Sequence, residues 1–500
     1  MKLTFLDTTL RDGAQSEGVS FSDADRVSVA KLLSDFGMTY IEIPSDNTAC
    51  YQTRANLSTF GSTRKPYISI DRDAGCAALL RSDTPAVTIF GKAWDLQVKN
   101  VLRCELSENL RMIEETVAFF KRAGREVIFD AEHFFDGYKD SPYYAKAVLE
   151  AASGADIAAL CDTNGAAFPD EVFKIVAEIH KCFPNLTIGI HCHNDRGMAV
   201  ANTIAAIDAG AEHVQGTLIG MGERCGNADL STVIGNLQLG RGIKCVPERS
   251  ITQLSSAARA IAEICNMPLE NAHPYVGASA FAHKAGMHID GMIKFDRAFE
   301  HVAPESVGNT RRYLTSDIAG RALLLNKIEH ITANFNPSDP RLSDILRELK
   351  NREAEGYQYE GADASFALII RKILAIYNPF FELIYYKTIG EGNGSTATLK
   401  IRVGDREELS AGEGNGPVNA LDGALRKALE IFYPQVKNMR LIDYKVRVLD
   451  SKSGTGSRVR VLITSSDAAR NWTTVGVSED VIQASWIALC DSFEFYLSEA

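Results

Sequence analysis

Over residues 1–240, short runs rich in β-branched residues alternate with longer stretches in which apolar positions recur every three to four residues. The first pattern is that of strands and the second that of helices, so this part of the chain reads as a series of βα units. Eight runs are predicted strands: Leu3–Leu10, Tyr40–Pro44, Pro66–Ile70, Ala86–Gly91, Glu126–Ala131, Asp156–Cys161, Thr187–His193 and His213–Ile219. Between them, Ser22–Phe36, Ser107–Arg122, Pro169–Cys182 and Ala199–Ala209 carry helical spacing. Ser22 followed by Asp23 and Asp25 marks a helix start, because a serine hydroxyl caps free N–H groups and acids favour the positive end of the helix dipole. Pro169 suits a first helical turn. Eight such units in about 240 residues match the size of a TIM (β/α)8 barrel. A doubly wound open sheet is the alternative, but no Gly-x-Gly-x-x-Gly follows the first strand.

From Val246 to Asn378 the pattern turns mostly helical, punctuated by Pro247, Pro268, Pro274, Pro304, Pro337 and Pro340. Within it, residues 281–291 combine glycines with His283, Lys284, His288 and Asp290. Either histidine is open to a structural or a functional reading. The remaining residues contain a repeat. Leu383–Lys387 is echoed by Leu441–Lys445, Ala397–Val403 by Arg458–Thr464, and the stretch from Gly412 to Leu425 by that from Gly476 to Leu489. Each copy reads as strand, strand, glycine-rich turn, helix. Two related units packed together leave a cleft suited to a small effector, or else form a duplicated dimerisation module. The predicted division is a barrel over 1–245, helical linker subdomains over 246–378 and a C-terminal α+β domain over 379–500.

The chain's 500 residues are too many for one hydrophobic core, which agrees with that division. A net charge of −11 disfavours nucleic acid or an anionic membrane as partner. The ten cysteines form no Cys-x-x-Cys pair, which points to reduced thiols rather than a disulfide framework or zinc ribbon. Charge soon follows Met1, and no uncharged apolar stretch is long enough to cross a bilayer, so a cytoplasmic location is expected.

The polar residues fall at one end of the predicted strands. Arg11 and Asp12 follow the first, Glu132 and His133 the fifth, and Asp162, Thr163 and Asn164 the sixth. His191 and His193 end the seventh, and Gly220-Met-Gly222-Glu223-Arg-Cys-Gly226-Asn227 follows the eighth. Carboxyl ends of strands are where such barrels place their chemistry. Residues i and i+2 of a strand share a face, so His191 and His193 present two imidazoles to one point, and Asp12 adds a carboxylate. That set forms a divalent-metal cage, which zinc, manganese or magnesium could occupy. Asn227 is either a fourth ligand or a turn residue.

Leu6-Asp-Thr-Thr-Leu-Arg-Asp-Gly13, His191-Cys-His-Asn-Asp195 and Gly222-Glu-Arg-Cys-Gly-Asn227 resemble the signature segments of the Claisen-condensing acyl-CoA synthases, the family of the 2-isopropylmalate, homocitrate and citramalate synthases. More narrowly, Phe60-Gly-Ser-Thr-Arg64, Thr88-Ile-Phe-Gly-Lys-Ala-Trp-Asp95, Asp130-Ala-Glu-His-Phe-Phe-Asp-Gly-Tyr138 and Cys161-Asp-Thr-Asn-Gly165 resemble the long citramalate synthases, as do Val307-Gly-Asn309 and residues 355–360. The resemblance spans nearly the whole chain. It departs at Ser45–Thr48, where a longer glycine-rich loop is expected, and at Phe299, where relatives often carry a tyrosine.

This resemblance implies a metal-dependent condensation of acetyl-CoA with pyruvate, followed by thioester hydrolysis to citramalate. Arg11, beside a metal ligand, would stabilise the alkoxide that forms on the ketone. The base for the methyl proton is Glu132 or His288, the latter brought in by a partner subunit, since a homodimer is implied. Thr163 would bind the oxo-acid carboxylate, and Gly220, Gly222, Glu223 and Gly226 would let the coenzyme approach the backbone. The C-terminal repeat resembles the family's allosteric domain, with isoleucine the expected effector. The alternatives are a 2-isopropylmalate synthase using 2-oxoisovalerate and, in another class, a non-catalytic amino-acid sensor. Intact Arg11, Asp12, His191 and His193 count against the sensor.

Overall fold

The computed structural model describes residues 3–499 apart from 46–47, 52, 314–324, 326–327, 329–330, 333–334, 337–338, 360, 393, 450–456 and 468–469. The sequence features at Asp46, Asn47, Pro337 and Glu360 therefore lie outside the described residues. The chain divides into two compact units, one of residues 1–282 with 300–312, the other of 283–299 with 313–500.

The first unit is a TIM barrel. Strands β1 (Thr4–Asp7), β2 (Tyr40–Ile43), β3 (Asn56–Ser62), β4 (Ala86–Lys92), β5 (Glu126–Glu132), β6 (Ile157–Asp162), β7 (Thr187–Cys192) and β8 (His213–Gly216) pair in sequence order into a closed barrel. Closure runs through parallel pairing of β1 with β8, from Thr4↔His213 to Asp7↔Gly216. The expected helix starts are present. The Ser22 hydroxyl accepts from the Asp25 N–H at 3.2 Å, and the Asp25 carboxylate accepts from the Ser22 N–H at 2.9 Å. Pro169 opens the helix Pro169–Cys182.

The third strand is not the predicted one. Pro66–Ile70 forms a turn and the start of a 3-10 turn, and β3 lies earlier, at Asn56–Ser62. Pro66 has no N–H to give a central ladder, and Tyr67 sits at φ 59°, outside the range a strand uses. Asn56–Ser62 looks too polar for a buried strand, yet Ser58 and Thr59 satisfy their buried hydroxyls, Ser58 with Thr88 at 2.8 Å and Thr59 with Ser82, at the end of helix Ala74–Arg81, at 2.9 Å.

At the amino ends of the strands, His213 is fully buried. Its Nδ1 lies 2.9 Å from the Thr4 hydroxyl, Tyr40 meets it edge-on, and its Nε2 has no hydrogen-bond partner among the described residues. Burial alone pushes its pKa down to about 3.

In the second unit, helices Arg341–Ala354 and Asp363–Ile373 share a core that includes Leu342, Ile345, Phe366 and Ile370. Two three-stranded antiparallel sheets follow, β9 (Glu382–Glu391), β10 (Gly394–Val403) and β11 (Arg406–Gly414), then β12 (Arg440–Val448), β13 (Val459–Ser466) and β14 (Asn471–Ser478). Helices Pro417–Glu430 and Val481–Ser498 each follow one sheet. The repeat is real, but each copy has three strands rather than two, because the glycine-rich segments are strands. A Cβ on Gly412 would meet the Ala420 carbonyl at 2.5 Å, and one on Gly476 the Ala484 carbonyl at 2.0 Å. Each glycine lets a helix backbone lie directly on its own sheet. Among the described residues, no helix is long and apolar enough to cross a membrane.

Two outcomes are expected. Gly476→Ala forces helix and sheet apart and lowers the unfolding free energy by about 1–3 kcal/mol, whereas Gly392→Ala, where an added Cβ meets nothing within 4 Å, changes it by less than about 0.5 kcal/mol. Denaturant unfolding of both variants checks the pair; equal effects contradict the packing argument. The neutral His213 gives a pH signature. The unfolded chain takes up a proton below about 6.5 that the folded chain refuses until about 3. Stability is therefore lost as pH falls through that window, by up to ~1.4 kcal/mol per pH unit. His213→Gln should flatten the slope of unfolding free energy against pH by that amount, and an unchanged slope contradicts the assignment.

Candidate active site

The turn after β1 places the first functional side chains. The Arg11 and Gly13 N–H groups both donate to the Thr8 carbonyl at 3.1 Å, and the Thr8 hydroxyl donates to the Gly216 carbonyl at 3.1 Å, fixing the turn to the end of β8. Arg11 then reaches over the barrel mouth. Its Nε lies 2.5 Å from Glu42, one Nη 3.0 Å from Asp12, and its guanidinium stacks 3.9 Å from the Phe60 ring. Phe60 in turn stacks on Phe90 at 5.2 Å. Burial acts to lower the arginine's pKa, but Glu42 and Asp12 hold it above its ordinary value. Glu42 is wholly buried, and that burial lifts its carboxyl above the usual range in spite of Arg11.

His191 and His193 converge on Asp12 as their spacing predicts. The two Nε2 atoms are 3.4 Å apart and lie 3.8 and 3.9 Å from Asp12 Oδ2, and all three residues are buried. One ligand atom from each can be chosen so that all lie within 4.8 Å of one another. Burial drives both histidines toward the neutral form, His191 to about 3, with each other's proximity adding to the effect there. Burial would raise Asp12, but Arg11 and the imidazoles hold it at about 2. A carboxylate and two neutral imidazoles are the protonation states a divalent cation requires. Asp12 Oδ1, His193 Nδ1 and Asn227 Oδ1 are buried and have no hydrogen-bond partner among the described residues. A cation within this cage would answer the two oxygens, and the donor set fits one.

The loop after β8 brings in Asn227. Its N–H donates to the Gly220 carbonyl at 3.0 Å, its backbone bridges to His193, and its side-chain Nδ2 donates to the Met221 carbonyl at 3.3 Å. A Cβ on Gly222 would meet Asn227 Nδ2 at 2.2 Å, and one on Gly226, at φ 90°, the Gly220 carbonyl at 2.1 Å. These glycines are required by the loop's own folding, in addition to any ligand's approach. The loop borders an open cleft of about 660 Å³ lined by Gly220, Gly222, Gly226 and Asn227 together with Asp229 and His273. Glu223 is exposed, 3.4 Å from Arg224, and does not line it.

Glu132 ends β5, 2.5 Å from Lys92 at the end of β4. The Thr163 hydroxyl accepts from the His133 N–H at 2.8 Å, which leaves its own proton to donate elsewhere. His288 belongs to the other unit, on helix Gly286–Lys294, exposed and stacked 4.1 Å from Phe299.

Three residues of the barrel mouth escaped the sequence reading: Glu42, Asp130 and Gln215. Each sits inside a strand and is buried. The signal was there, since a charge or amide within an otherwise apolar strand needs a buried partner. Burial, then Glu42, pushes the Asp130 pKa up to about 8.

The chain is similar to known proteins along nearly its whole length. Residues 2–261 match the HMGL-like family, 275–356 the homocitrate synthase post-HMGL domain-like family, and 360–497 the LeuA allosteric (dimerisation) domain. An (R)-citramalate synthase of Aquifex aeolicus is 47% identical over 99% of this chain and 98% of its own. One of Geobacter sulfurreducens is 43% identical over 99% and 97%. A probable 2-isopropylmalate synthase of Methanopyrus kandleri is 30% identical over 97% and 96%.

Asp12→Asn removes the only anionic member of the cage and should weaken Mn²⁺ binding by at least about 10²-fold, beyond the 10–100-fold typical of an outer partner. Calorimetry on chelator-stripped protein reads this directly, and an unchanged Kd contradicts the cage.

Proposed function

Because the chain belongs to the HMGL-like family and, within it, to the (R)-citramalate synthases, we propose that it condenses acetyl-CoA with pyruvate and hydrolyses the thioester to release (R)-citramalate. The observation that carries this reading is the convergence of Arg11, Asp12, His191 and His193 at the carboxyl ends of β1 and β7. Asp12, His191 and His193, with Asn227 as fourth candidate, would hold magnesium, manganese or zinc. When bound, that ion supplies Lewis acidity toward the ketone of the 2-oxo acid.

The chain's own residues do the rest. Arg11 is fixed by two carboxylates and a ring, so its free N–H groups are already aimed where negative charge develops on the ketone oxygen. Thr163 offers its hydroxyl proton to the oxo-acid carboxylate. The base that takes a proton from the acetyl methyl group is Glu132, which is paired with Lys92, or His288 of the partner subunit in a homodimer. The cleft beside the loop 220–227 accepts the coenzyme, with Gly220, Gly222 and Gly226 on its wall. Pyruvate is the preferred oxo acid over 2-oxoisovalerate, as the likeness of Phe60–Arg64, Thr88–Asp95 and Asp130–Tyr138 to the long citramalate synthases implies.

The C-terminal repeat is read as the sensor of isoleucine, the product of the pathway that citramalate would feed. A cleft of about 460 Å³ lies between the two copies, lined by Val418, Asn419, Asp422 and Arg426 of the first and by Leu441 and Tyr444 of the second. Of the N-termini of the two helices that follow the sheets, the second is capped by Asp480, which accepts from the N–H groups of Ile482 and Gln483. The first has no side-chain cap. Only the first end is therefore suited to a carboxylate.

Three results are expected. Thiol release from acetyl-CoA should show kcat/KM for pyruvate at least ~10-fold above that for 2-oxoisovalerate, and Arg11→Ala should lose on the order of 10²–10³ in kcat. A ratio favouring the branched acid identifies a 2-isopropylmalate synthase instead. Isoleucine should inhibit and should bind by calorimetry with a coupling of about 1–3 kcal/mol. If isoleucine, leucine and valine all fail to bind, the repeat is a dimerisation module alone.

A further inference from the structure

Gln215 and Asp130 form a buried hydrogen-bond chain behind the metal cage. Gln215 on β8 is the register partner of His191 on β7, so their side chains stand next to each other inside the barrel. His191 Nδ1 lies 3.0 Å from Gln215 Oε1, and Gln215 Nε2 lies 2.7 Å from Asp130 Oδ1 on β5. Gln215 is completely buried and Asp130 almost so, which removes water as an alternative partner for either end of the amide.

We propose that Gln215, oriented by Asp130, is a positioning residue that sets the tautomer of His191 and thereby opens the cage to a divalent cation. A neutral imidazole carries one ring proton, and only the other nitrogen can ligate. The Gln215 Nε2 donates to Asp130 Oδ1, and that bond holds the amide with its oxygen turned toward His191. That oxygen accepts the Nδ1 proton, which leaves the Nε2 lone pair facing His193 and Asp12. With the amide reversed, Nδ1 would have to accept, the proton would move to Nε2, and the cage would be closed by a hydrogen. A carboxylate placed directly on the imidazole would do the same job. Here a neutral amide stands between them, so Asp12 remains the only anion on the cation and the site keeps more of its Lewis acidity.

The inference rests on reading Asp12, His191 and His193 as a metal site, and the test separates the two. Mn²⁺ binding to the chelator-stripped full-length protein is titrated by the EPR signal of the free ion. The series comprises the wild type, Asp12→Asn, Gln215→Leu and the double variant Asp130→Asn/Gln215→Glu. The double variant swaps amide and carboxylate but keeps an acceptor against His191 Nδ1 and a donor behind it. Gln215→Leu should raise the Kd by about 10–100-fold, and the double variant should stay within about threefold of the wild type, inside the scatter of a conserved outer partner. An unchanged Kd in Gln215→Leu, with Asp12→Asn weakened, overturns the tautomer role alone. An unchanged Kd in Asp12→Asn overturns the metal site and this role with it. Should Gln215→Leu fail to fold, the double variant decides: near-wild-type affinity supports the role, and a tenfold or greater loss overturns it.

Discussion

A guanidinium at the mouth of a barrel must be balanced from both sides, and Arg11 is balanced by Glu42 and Asp12. This ion triad is the constraint on which the rest of the site depends. Glu42 is wholly buried and takes the arginine Nε, which leaves Asp12 free to serve two masters. The Asp12 oxygen that meets Arg11 also faces both imidazoles, and the other is buried without a hydrogen-bond partner among the described residues. Removing one member of such a set costs about 3–5 kcal/mol, because a buried charge is left uncompensated. Arg11 and the imidazoles keep Asp12 ionised to about 2, while burial and the neighbouring His193 keep His191 neutral down to about 3, so the cage is ready for a cation across the physiological range.

Much of this was legible from spacing. His191 and His193 at i and i+2, and Asp12 after the first strand, lie together as their strand positions require. Seven of the barrel strands overlap the predicted runs, and the helices at Ser22 and Pro169 begin where capping chemistry places them. What stayed hidden depended on partners distant along the chain. The third strand was missed because Ser58 and Thr59 look like loop residues until Thr88 and Ser82 answer their hydroxyls. Gln215 and Asp130 are 85 positions apart, and neither carries a local signature of its partner.

Glycine was the residue most easily misread. At 412 and 476 it suggests a turn, yet both positions are strand residues on which a helix backbone rests. At 222 and 226 it suggests an approach for the coenzyme, yet the first claim on that space belongs to Asn227 and the Gly220 carbonyl. In each case the absent Cβ is filled by the chain itself, which composition cannot reveal. The C-terminal domain is otherwise built as its internal repeat implies, with two sheets, two helices and a cleft bounded by both copies.

The central claim is that Arg11 and the Asp12–His191–His193 cage catalyse a metal-dependent condensation. Its most direct test is the product formed from acetyl-CoA and pyruvate by chelator-stripped full-length protein, with and without added Mn²⁺, resolved by chiral chromatography. Formation of (R)-citramalate that requires the ion and disappears on re-chelation is the predicted result. Citramalate formation at the same rate without the ion, or no citramalate with it, would contradict the account.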